Sequence, residues 1–301
     1  MIIAVFLGGL ILLFLLGFGA PYAIGLVSLL VLIMTRGIGN IPLDMMATKL
    51  AFAANNFTLL AIPFFLLAGK LMNTGSITTR IFRFCNTLIG WIPGGLGHAN
   101  VLASIVFAGM SGSAVADAAG LGTIEIRAME NEGFDTDFAA AITAASSTIG
   151  PIIPPSIPLI VFGVSAGNVS IAKLLIGGIL PGVLVGITLS VMVYYFAVKR
   201  HYPKSKFPTG KRIWEDFKKA FFPLLTPVIL IGGILSGVFT PTEGAVVASL
   251  YAFILTMFVY RETTWKDFLL ILRDTAKETA SIMFIVCASQ RSEEHTSELQ
   301  S

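Results

Sequence analysis

Long apolar segments recur along the chain, and they constrain its fold more than any other feature of the sequence. Eight of them run over residues 1–18, 20–35, 57–72, 138–163, 171–198, 220–239, 244–260 and 268–288. Most come near the length of about 20 residues that a helix needs to cross a bilayer. Inside a bilayer the backbone has to satisfy its own hydrogen bonds, and the alternation of a membrane barrel strand is absent. The sequence therefore predicts an all-α polytopic membrane protein.

Charged residues are scarce and unevenly placed. They make up 12% of the chain, against about 25% in an ordinary soluble domain. One connection, residues 199–219, holds eight of the 20 basic residues, namely Lys199, Arg200, Lys204, Lys206, Lys211, Arg212, Lys218 and Lys219. Basic connections stay on the cytoplasmic side of a membrane. We therefore predict that this connection is a basic cytoplasmic linker. The chain as a whole is predicted to lie in a lipid bilayer and not to bind nucleic acid.

The linker divides the chain into a first half, residues 1–198, and the start of a second half, residues 220–290. An offset of 220 residues pairs Pro21 with Pro241 and aligns the halves weakly, as internal repeats of a secondary transporter would. The same offset carries residues 109–155 beyond the end of the chain, so the second repeat is predicted to be incomplete. The polar tail at residues 291–301, RSEEHTSELQS, looks like a translated sequencing adapter and is predicted to be non-native.

A small-residue segment, GMSGSAVADAAGLG at residues 109–122, joins two short apolar arms. Neither arm is long enough to cross a bilayer alone, which predicts a re-entrant hairpin over about residues 97–130. The tip would expose peptide carbonyls together with the hydroxyls of Ser111 and Ser113. Such hard oxygen ligands suit a sodium ion.

A proline-rich segment, AASSTIGPIIPPSIPLIVFG at residues 144–163, interrupts the next apolar stretch. Prolines remove helical hydrogen bonds, so we predict a broken helix over about residues 138–163 that unwinds near 150–155. Broken helices present carbonyls to a cation and amides to an anion. The alternative is that small residues and prolines merely serve helix packing, because both are common in membrane helices.

Three motifs together resemble the large, DctM-like membrane subunit of the tripartite ATP-independent periplasmic (TRAP) transporters. They are GMSGSAVADAAGLGTIEIRAM from Gly109, TAASSTIGPIIPPSIPLIVFG from Thr143 and FTPTEGAVVA from Phe239. The resemblance covers residues 1–290 in order. It implies an elevator-type transporter with two inverted repeats, each containing a re-entrant hairpin and a broken helix.

The resemblance also implies a transport system in the bacterial inner membrane. Small organic acids, such as C4-dicarboxylates or sugar acids, would be taken up by a multi-pass permease with sodium as the coupling ion and no other cofactor. A periplasmic substrate-binding protein would deliver the carboxylate, and a small four-helix membrane subunit would bind alongside.

Carried onto this sequence, the resemblance places a sodium site where the hairpin tip meets the unwound segment. The sodium ligands are predicted to be Ser111, Gly112, Ser113, Gly150, Ile153 and Pro155. Support for the ion site or the substrate cavity is predicted from Asp117, Ser146, Ser147, Thr148, Pro154 and Ser156. A second sodium site would belong to the second repeat, outside this chain.

The sequence is compatible with more than one role for several ionisable residues. Asp117 lies just past the hairpin tip, where it could gate, line the cavity or bond to the backbone. Glu243 follows Thr240 in the pattern of a capping box, which favours capping over ion binding. The acidic cluster that includes Glu125 and Asp135 is predicted to be a solvated surface, with Asp135 able to cap the following helix.

Arg80 and Arg83, near Trp91, predict an amphipathic helix at the membrane interface whose arginines reach toward water.

Two other classes of protein stay open as alternatives. An intramembrane serine-type enzyme could use Ser113 as nucleophile and Asp117 as its helper, but no histidine or lysine base lies near them in the sequence. A channel would use the same carbonyls to bind a permeating ion, without coupling its flow to a second solute. A phosphate-binding glycine loop with its lysine is absent, so ATP hydrolysis is not expected.

Overall fold

The structure, a computed structural model, describes residues 2–37, 56–73, 76–167 and 169–297, with the backbone alone for Arg36 and residues 288–297. Within these ranges it consists of helices and connections, with no strand. The α-helices are α1 (Ile2–Leu15), α2 (Ala20–Arg36), α3 (Ala61–Met72), α4 (Ser76–Ile89), α5 (Gly95–Ser111), α6 (Ala114–Ala119), α7 (Leu121–Asn131), α8 (Thr136–Ser147), α9 (Ile157–Ala166), α10 (Ile171–Arg200), α11 (Gly210–Leu235), α12 (Pro241–Ile254) and α13 (Trp265–Ser297). The predicted all-α membrane architecture is confirmed.

Three of the described helices are long and apolar enough to cross a membrane unaided. They are α10, α11 and the continuous helix Pro241–Val259, which adds a π-helical turn, Leu255–Val259, to α12. Phe57–Met72 and Ser76–Ile89 pass the same test as a pair, although their axes differ by 75°. Other apolar stretches form helices of 10–17 residues, among them α1, α2 and α9.

The chain forms two compact units. The first contains residues 1–59 and 276–301, and the second contains residues 60–275. In the first unit α1 packs along α2, where a Cβ atom on Gly9 would lie 3.1 Å from Val27 Cγ2. The ring of Tyr22 meets that of Phe284 at 5.5 Å within the same unit.

The second unit is built around α5. This helix packs against α3, α4, α8, α10 and α11, and its side chains Phe107 and Met110 are completely buried. The most extensive helix pairing in the unit joins α3 to α12. A residue at the C-terminal end of α5 is therefore held from several directions at once.

Capping fixes the start of α12 as the sequence predicted. Thr240 Oγ1 accepts a hydrogen bond from the Glu243 amide at 3.3 Å, and Glu243 Oε2 accepts one from the Thr240 amide at 2.8 Å. This is a complete capping box, which satisfies amides that a helix start otherwise leaves unpaired.

Parts of the predicted linker and of the predicted tail are helical. α10 ends at Arg200 and α11 begins at Gly210, so residues 201–209 form the connection inside the basic segment 199–219. α13 continues to Ser297, and residues 298–301 of the predicted tail lie outside the described residues.

The two arginines of α4 are tied to partners elsewhere in the second unit. Arg83 Nε lies 3.0 Å from Asp216 Oδ1 on α11, and the guanidinium of Arg80 lies over the Tyr260 ring at 4.5 Å. Asp216 is 2% exposed and also accepts a hydrogen bond from Thr87 Oγ1 at 2.7 Å. The contacts of Asp216 fix α4 to α11.

Candidate ion-binding site

The predicted hairpin tip is a two-residue turn between α5 and α6. Gly112 ends α5 in the left-handed conformation, with φ 61° and ψ 15°, and its amide donates to the Ala108 carbonyl at 3.3 Å. Glycine is the residue that takes this conformation at a helix end without steric cost. Ser113 then caps α6, its hydroxyl accepting from the Ala116 amide at 3.3 Å.

The predicted broken helix ends at Ser147 and resumes at Ile157. Pro151, Pro154 and Pro155 lie in the gap between α8 and α9, where they leave three positions without an amide donor. Ser156 restarts the helix. Its hydroxyl accepts from the Leu159 amide at 3.2 Å and donates to the Pro151 carbonyl.

The tip and the gap are in direct contact. A Cβ atom on Gly112 would lie 2.0 Å from the carbonyl oxygen of Pro155, and one on Gly150 would lie 3.1 Å from the backbone carbon of Ser113. The structure therefore brings together Gly112, Ser113, Gly150 and Pro155, four of the six residues predicted as sodium ligands.

Ser111 and Ile153, the other two predicted ligands, differ in where their side chains lie. The Ser111 hydroxyl stays at the tip, where it accepts a long hydrogen bond of 3.5 Å from the Ser113 amide. Ser111 is buried against α3, where a Cβ atom on Gly69 would lie 2.9 Å from Ser111 Cβ. The side chain of Ile153 packs on α10, where a Cβ atom on Gly182 would lie 2.2 Å from Ile153 Cγ1. Only the backbone oxygen of Ile153 is suited to bind a cation.

Several carbonyl oxygens in the gap accept no hydrogen bond within the described chain, those of Ile153 and Pro155 among them. Because Pro155 also faces the tip, its carbonyl oxygen lies at the contact between the two segments. Carbonyl oxygens are hard ligands that suit sodium chemically. Pro154 and Ser156, predicted as supporting residues, are buried on either side of Pro155.

The predicted supporting hydroxyls of α8 are committed to other partners. Ser147 donates to the Thr143 carbonyl at 2.7 Å, and Thr148 donates to the Ala145 carbonyl at 2.7 Å from an exposed position. Ser146 is buried and donates to Asn100 Oδ1 at 2.7 Å. The hydrogen bonds that these hydroxyls donate stabilise α8 and its contact with α5, so the hydroxyl oxygens could bind an ion only through their remaining lone pairs.

Asp117 is 1% exposed, and neither carboxylate oxygen has a hydrogen-bond partner within the described chain. The hydroxyls of Ser104 and Ser147 lie close enough to act on the carboxylate electrostatically, but neither forms a hydrogen bond with it. Its backbone amide donates to the Ser113 carbonyl at 3.2 Å, which ties it to the tip. An unpartnered buried carboxylate is costly and therefore functionally informative.

A buried polar network that the sequence reasoning missed lies behind the tip. Asn100 of α5 donates to Glu125 Oε2 and to Thr143 Oγ1, each at 2.7 Å, while Ser104 donates to Ser146 Oγ at 3.1 Å. The sequence did contain a signal for this network. Asn100 and Ser104 are polar residues in the apolar run of α5, and their spacing of four residues places them on one face of the helix.

Two predictions for the acidic cluster are wrong. Glu125 is 1% exposed and faces the interior, because Leu121, Glu125 and Met129 recur every four residues on the buried face of α7. Asp135 occupies the cap position of α8 but makes no capping hydrogen bond. Its carboxylate instead accepts from Arg200 Nη1 and from the Tyr202 hydroxyl, each at 2.7 Å.

Comparison with known proteins places the chain among transporter subunits. Residues 7–297 match the family described as the DctM component of the tripartite ATP-independent periplasmic transporter. The chain is 52% identical over 218 residues, 72% of its length, to the sialic acid TRAP transporter permease protein SiaT of Haemophilus influenzae. It is 46% identical over 270 residues, 90% of its length, to the sialic acid TRAP transporter large permease protein SiaM of Vibrio cholerae.

A third relative is named for a different acid. The chain is 42% identical over 247 residues, 82% of its length, to the 2,3-diketo-L-gulonate TRAP transporter large permease protein YiaN of Escherichia coli. These matches span 35%, 62% and 58% of the lengths of SiaT, SiaM and YiaN.

Proposed function

The chain belongs to the DctM component family of the tripartite ATP-independent periplasmic transporters, and we propose that it forms part of a sodium-driven permease for small organic acids. The observation that carries this proposal is the contact between the hairpin tip and the gap in the broken helix. Gly112 faces the Pro155 carbonyl, and Gly150 faces the backbone of Ser113. Two helix interruptions that meet in this way provide the backbone oxygens of an ion site.

Sodium fits this arrangement better than an anion or a multivalent metal. The described residues contain no group of His, Cys, Asp and Glu side chains that could hold a metal ion, so the available ligands are mainly carbonyl and hydroxyl oxygens. We assign binding to Ser111, Gly112, Ser113, Gly150, Ile153 and Pro155, the last two through their carbonyls. Asp117 supplies negative charge next to the tip.

The substrate is proposed to be a small carboxylate, either a sugar acid or a C4-dicarboxylate. Sialic acid and 2,3-diketo-L-gulonate, for which the relatives are named, are both sugar acids. We propose further that a periplasmic binding protein delivers the substrate, that a small four-helix subunit binds alongside, and that the complex works in the inner membrane.

The family is one of transporters, not enzymes, so the intramembrane serine enzyme is not proposed. The structure supports this assignment independently. The Ser113 hydroxyl caps α6, and the carboxylate of Asp117 makes no hydrogen bond to it.

Transport provides the test of this proposal. The permease containing this sequence would be reconstituted in liposomes with its small membrane subunit and binding protein, and uptake of labelled sialic acid or succinate would be measured. We expect uptake only with an inward sodium gradient. Uptake that ignores this gradient would refute sodium coupling, and flux without saturation or coupling would identify a channel.

A further inference from the structure

Glu125 is a buried carboxyl group that the proposed ion site does not use. It lies on α7, 1% exposed, within a segment that packs against α4, α5, α6 and α8. Its Oε2 accepts a hydrogen bond from Asn100 Nδ2 at 2.7 Å, whereas its Oε1 has no partner within the described chain. One oxygen is therefore held in place, and the other is enclosed without a donor.

No positive charge compensates this carboxyl group among the described residues. From α6, the side chain that acts on it is Asp117, and from α4 it is the buried thiol of Cys85. From α5 it faces the neutral amide of Asn100, which also donates to Thr143 of α8. An ionised carboxylate would thus be desolvated beside another acid, which is the arrangement that most disfavours a second negative charge.

We propose that Glu125 is a proton-binding site, at which the carboxyl group is held as the neutral acid with the proton on Oε1. This position leaves Oε2 free to accept from Asn100, as the structure shows. The orientation of Asn100 is set independently, because its Oδ1 accepts from Ser146 and its Nδ2 also donates to Thr143. The ligand of this site is a proton, and the proposal does not depend on sodium coupling.

Glu125→Gln is a close mimic of the protonated state. The amide oxygen of glutamine can accept from Asn100, and its NH₂ group takes the place of the protonated oxygen. Glu130→Gln is the matched control, because Glu130 is an exposed glutamate on the same helix. Asp117→Asn removes the neighbouring carboxyl group, so its contribution to the infrared signal can be distinguished from that of Glu125.

Infrared spectroscopy of the purified chain in lipid nanodiscs reads the proton directly. At neutral pH we expect the parent to show the carbonyl stretch of a protonated carboxylic acid, and we expect Glu125→Gln to lose it. The band should persist in Glu130→Gln, and at least the Glu125 component should persist in Asp117→Asn. A parent without such a band, or a Glu125→Gln spectrum identical to that of the parent, would overturn the proposal.

Thermal unfolding provides a second readout. Raising the pH from neutral to alkaline removes the proton and leaves a buried charge, so the Tm of the parent should fall. The Tm of Glu125→Gln should fall less over the same range, because the glutamine cannot ionise. Equal slopes for the two proteins would argue against a proton at Glu125, whatever the outcome of the transport test.

Discussion

The backbone of Gly112 approaches the carbonyl oxygen of Pro155 so closely that a Cβ atom at position 112 would lie 2.0 Å from that oxygen. Real Cβ atoms do not approach other atoms to within 3.0 Å, so any larger residue has to push the hairpin tip and the gap apart. The contact is therefore a direct way to test whether the two segments bind an ion together.

Gly112→Ala should abolish stabilisation of the chain by sodium. The matched control is Gly133→Ala, because Gly133 also has a positive φ, 90°, but a Cβ atom at that position would meet nothing within 4 Å. Each substitution carries a backbone strain of about 1–2 kcal/mol, and Gly112→Ala in addition meets the backbone of Pro155.

The measurement is the Tm of the purified chain in sodium chloride and in potassium chloride. The parent and Gly133→Ala should be more stable in sodium, and Gly112→Ala should show no difference between the salts. A sodium-dependent shift of parental size in Gly112→Ala would contradict an ion site at this contact.

Neighbouring glycines on α10 test how the gap is supported. A Cβ atom on Gly178 would lie 2.2 Å from the Ile152 carbonyl, whereas one on Gly177 would meet nothing within 4 Å. Gly177→Ala should raise the Tm, because alanine favours a helix interior by about 1 kcal/mol relative to glycine. Gly178→Ala gains the same helix propensity but displaces the gap, so its Tm should fall below that of the parent. Similar Tm values for the two variants would show that α10 does not support the gap.

The buried carboxylate of Asp216 should depend unequally on its two arginines. Arg83 Nε lies 3.0 Å from Oδ1, while Arg212 Nε lies 3.9 Å from Oδ2. Arg83→Met should destabilise the chain by about 1–3 kcal/mol, the usual cost of an unsatisfied buried polar group. The two arginines are similarly exposed, but Arg212 lies farther from the carboxylate, so Arg212→Met should cost less, below about 1 kcal/mol. Thermal unfolding of both variants gives the comparison, and equal losses would show that Arg83 is not the main partner.

The carboxylate of Asp135 should make part of the stability depend on pH. The hydroxyl of Tyr202, followed by the guanidinium of Arg200, lowers the pKa of Asp135 below its ordinary value. A carboxylate with a lowered pKa stabilises the folded state above its unfolded pKa, and this contribution is lost as the pH falls through the folded pKa.

Tyr202→Phe should therefore have a lower Tm than the parent at neutral pH, and the difference should vanish in acid, where Asp135 is protonated in both proteins. The ring contact of residue 202 with Phe134, at 4.4 Å, is retained in the variant. Tyr195→Phe is the control, because Tyr195 is exposed and has no hydrogen bond of its hydroxyl among the described contacts. A Tm difference that is the same at both pH values would rule out a contribution from Asp135.

The sequence predicted the two helix interruptions because glycine and proline act locally. Gly112 ends one helix, and a second helix is interrupted by Pro151, Pro154 and Pro155. These effects do not depend on neighbouring helices, so the turn and the gap could be predicted from the local residue pattern. The sequence could not show that Ile153 turns its side chain toward α10, because this depends on a glycine 29 residues later, Gly182.

The buried network was missed for a related reason. Glu125 belongs to a run of charges that looks solvated, and only the packing of α7 against four neighbouring helices shows which member faces inward. Asp135 was assigned to the correct position but to the wrong partner, because Arg200 reaches it from 65 residues away in sequence. Long-range partners of this kind are set by tertiary packing.

The glycines of α10 also constrain the number of residues between them. Gly178, Gly182 and Gly186 lie four residues apart and accommodate, in turn, Ile152, Ile153 and Ile105. An α-helix turns by ~100° per residue, so one inserted residue between Gly178 and Gly186 would rotate the later glycines away from their partners. Homologous chains are thus expected to keep these three glycines four residues apart, with insertions outside the stretch from Gly178 to Gly186.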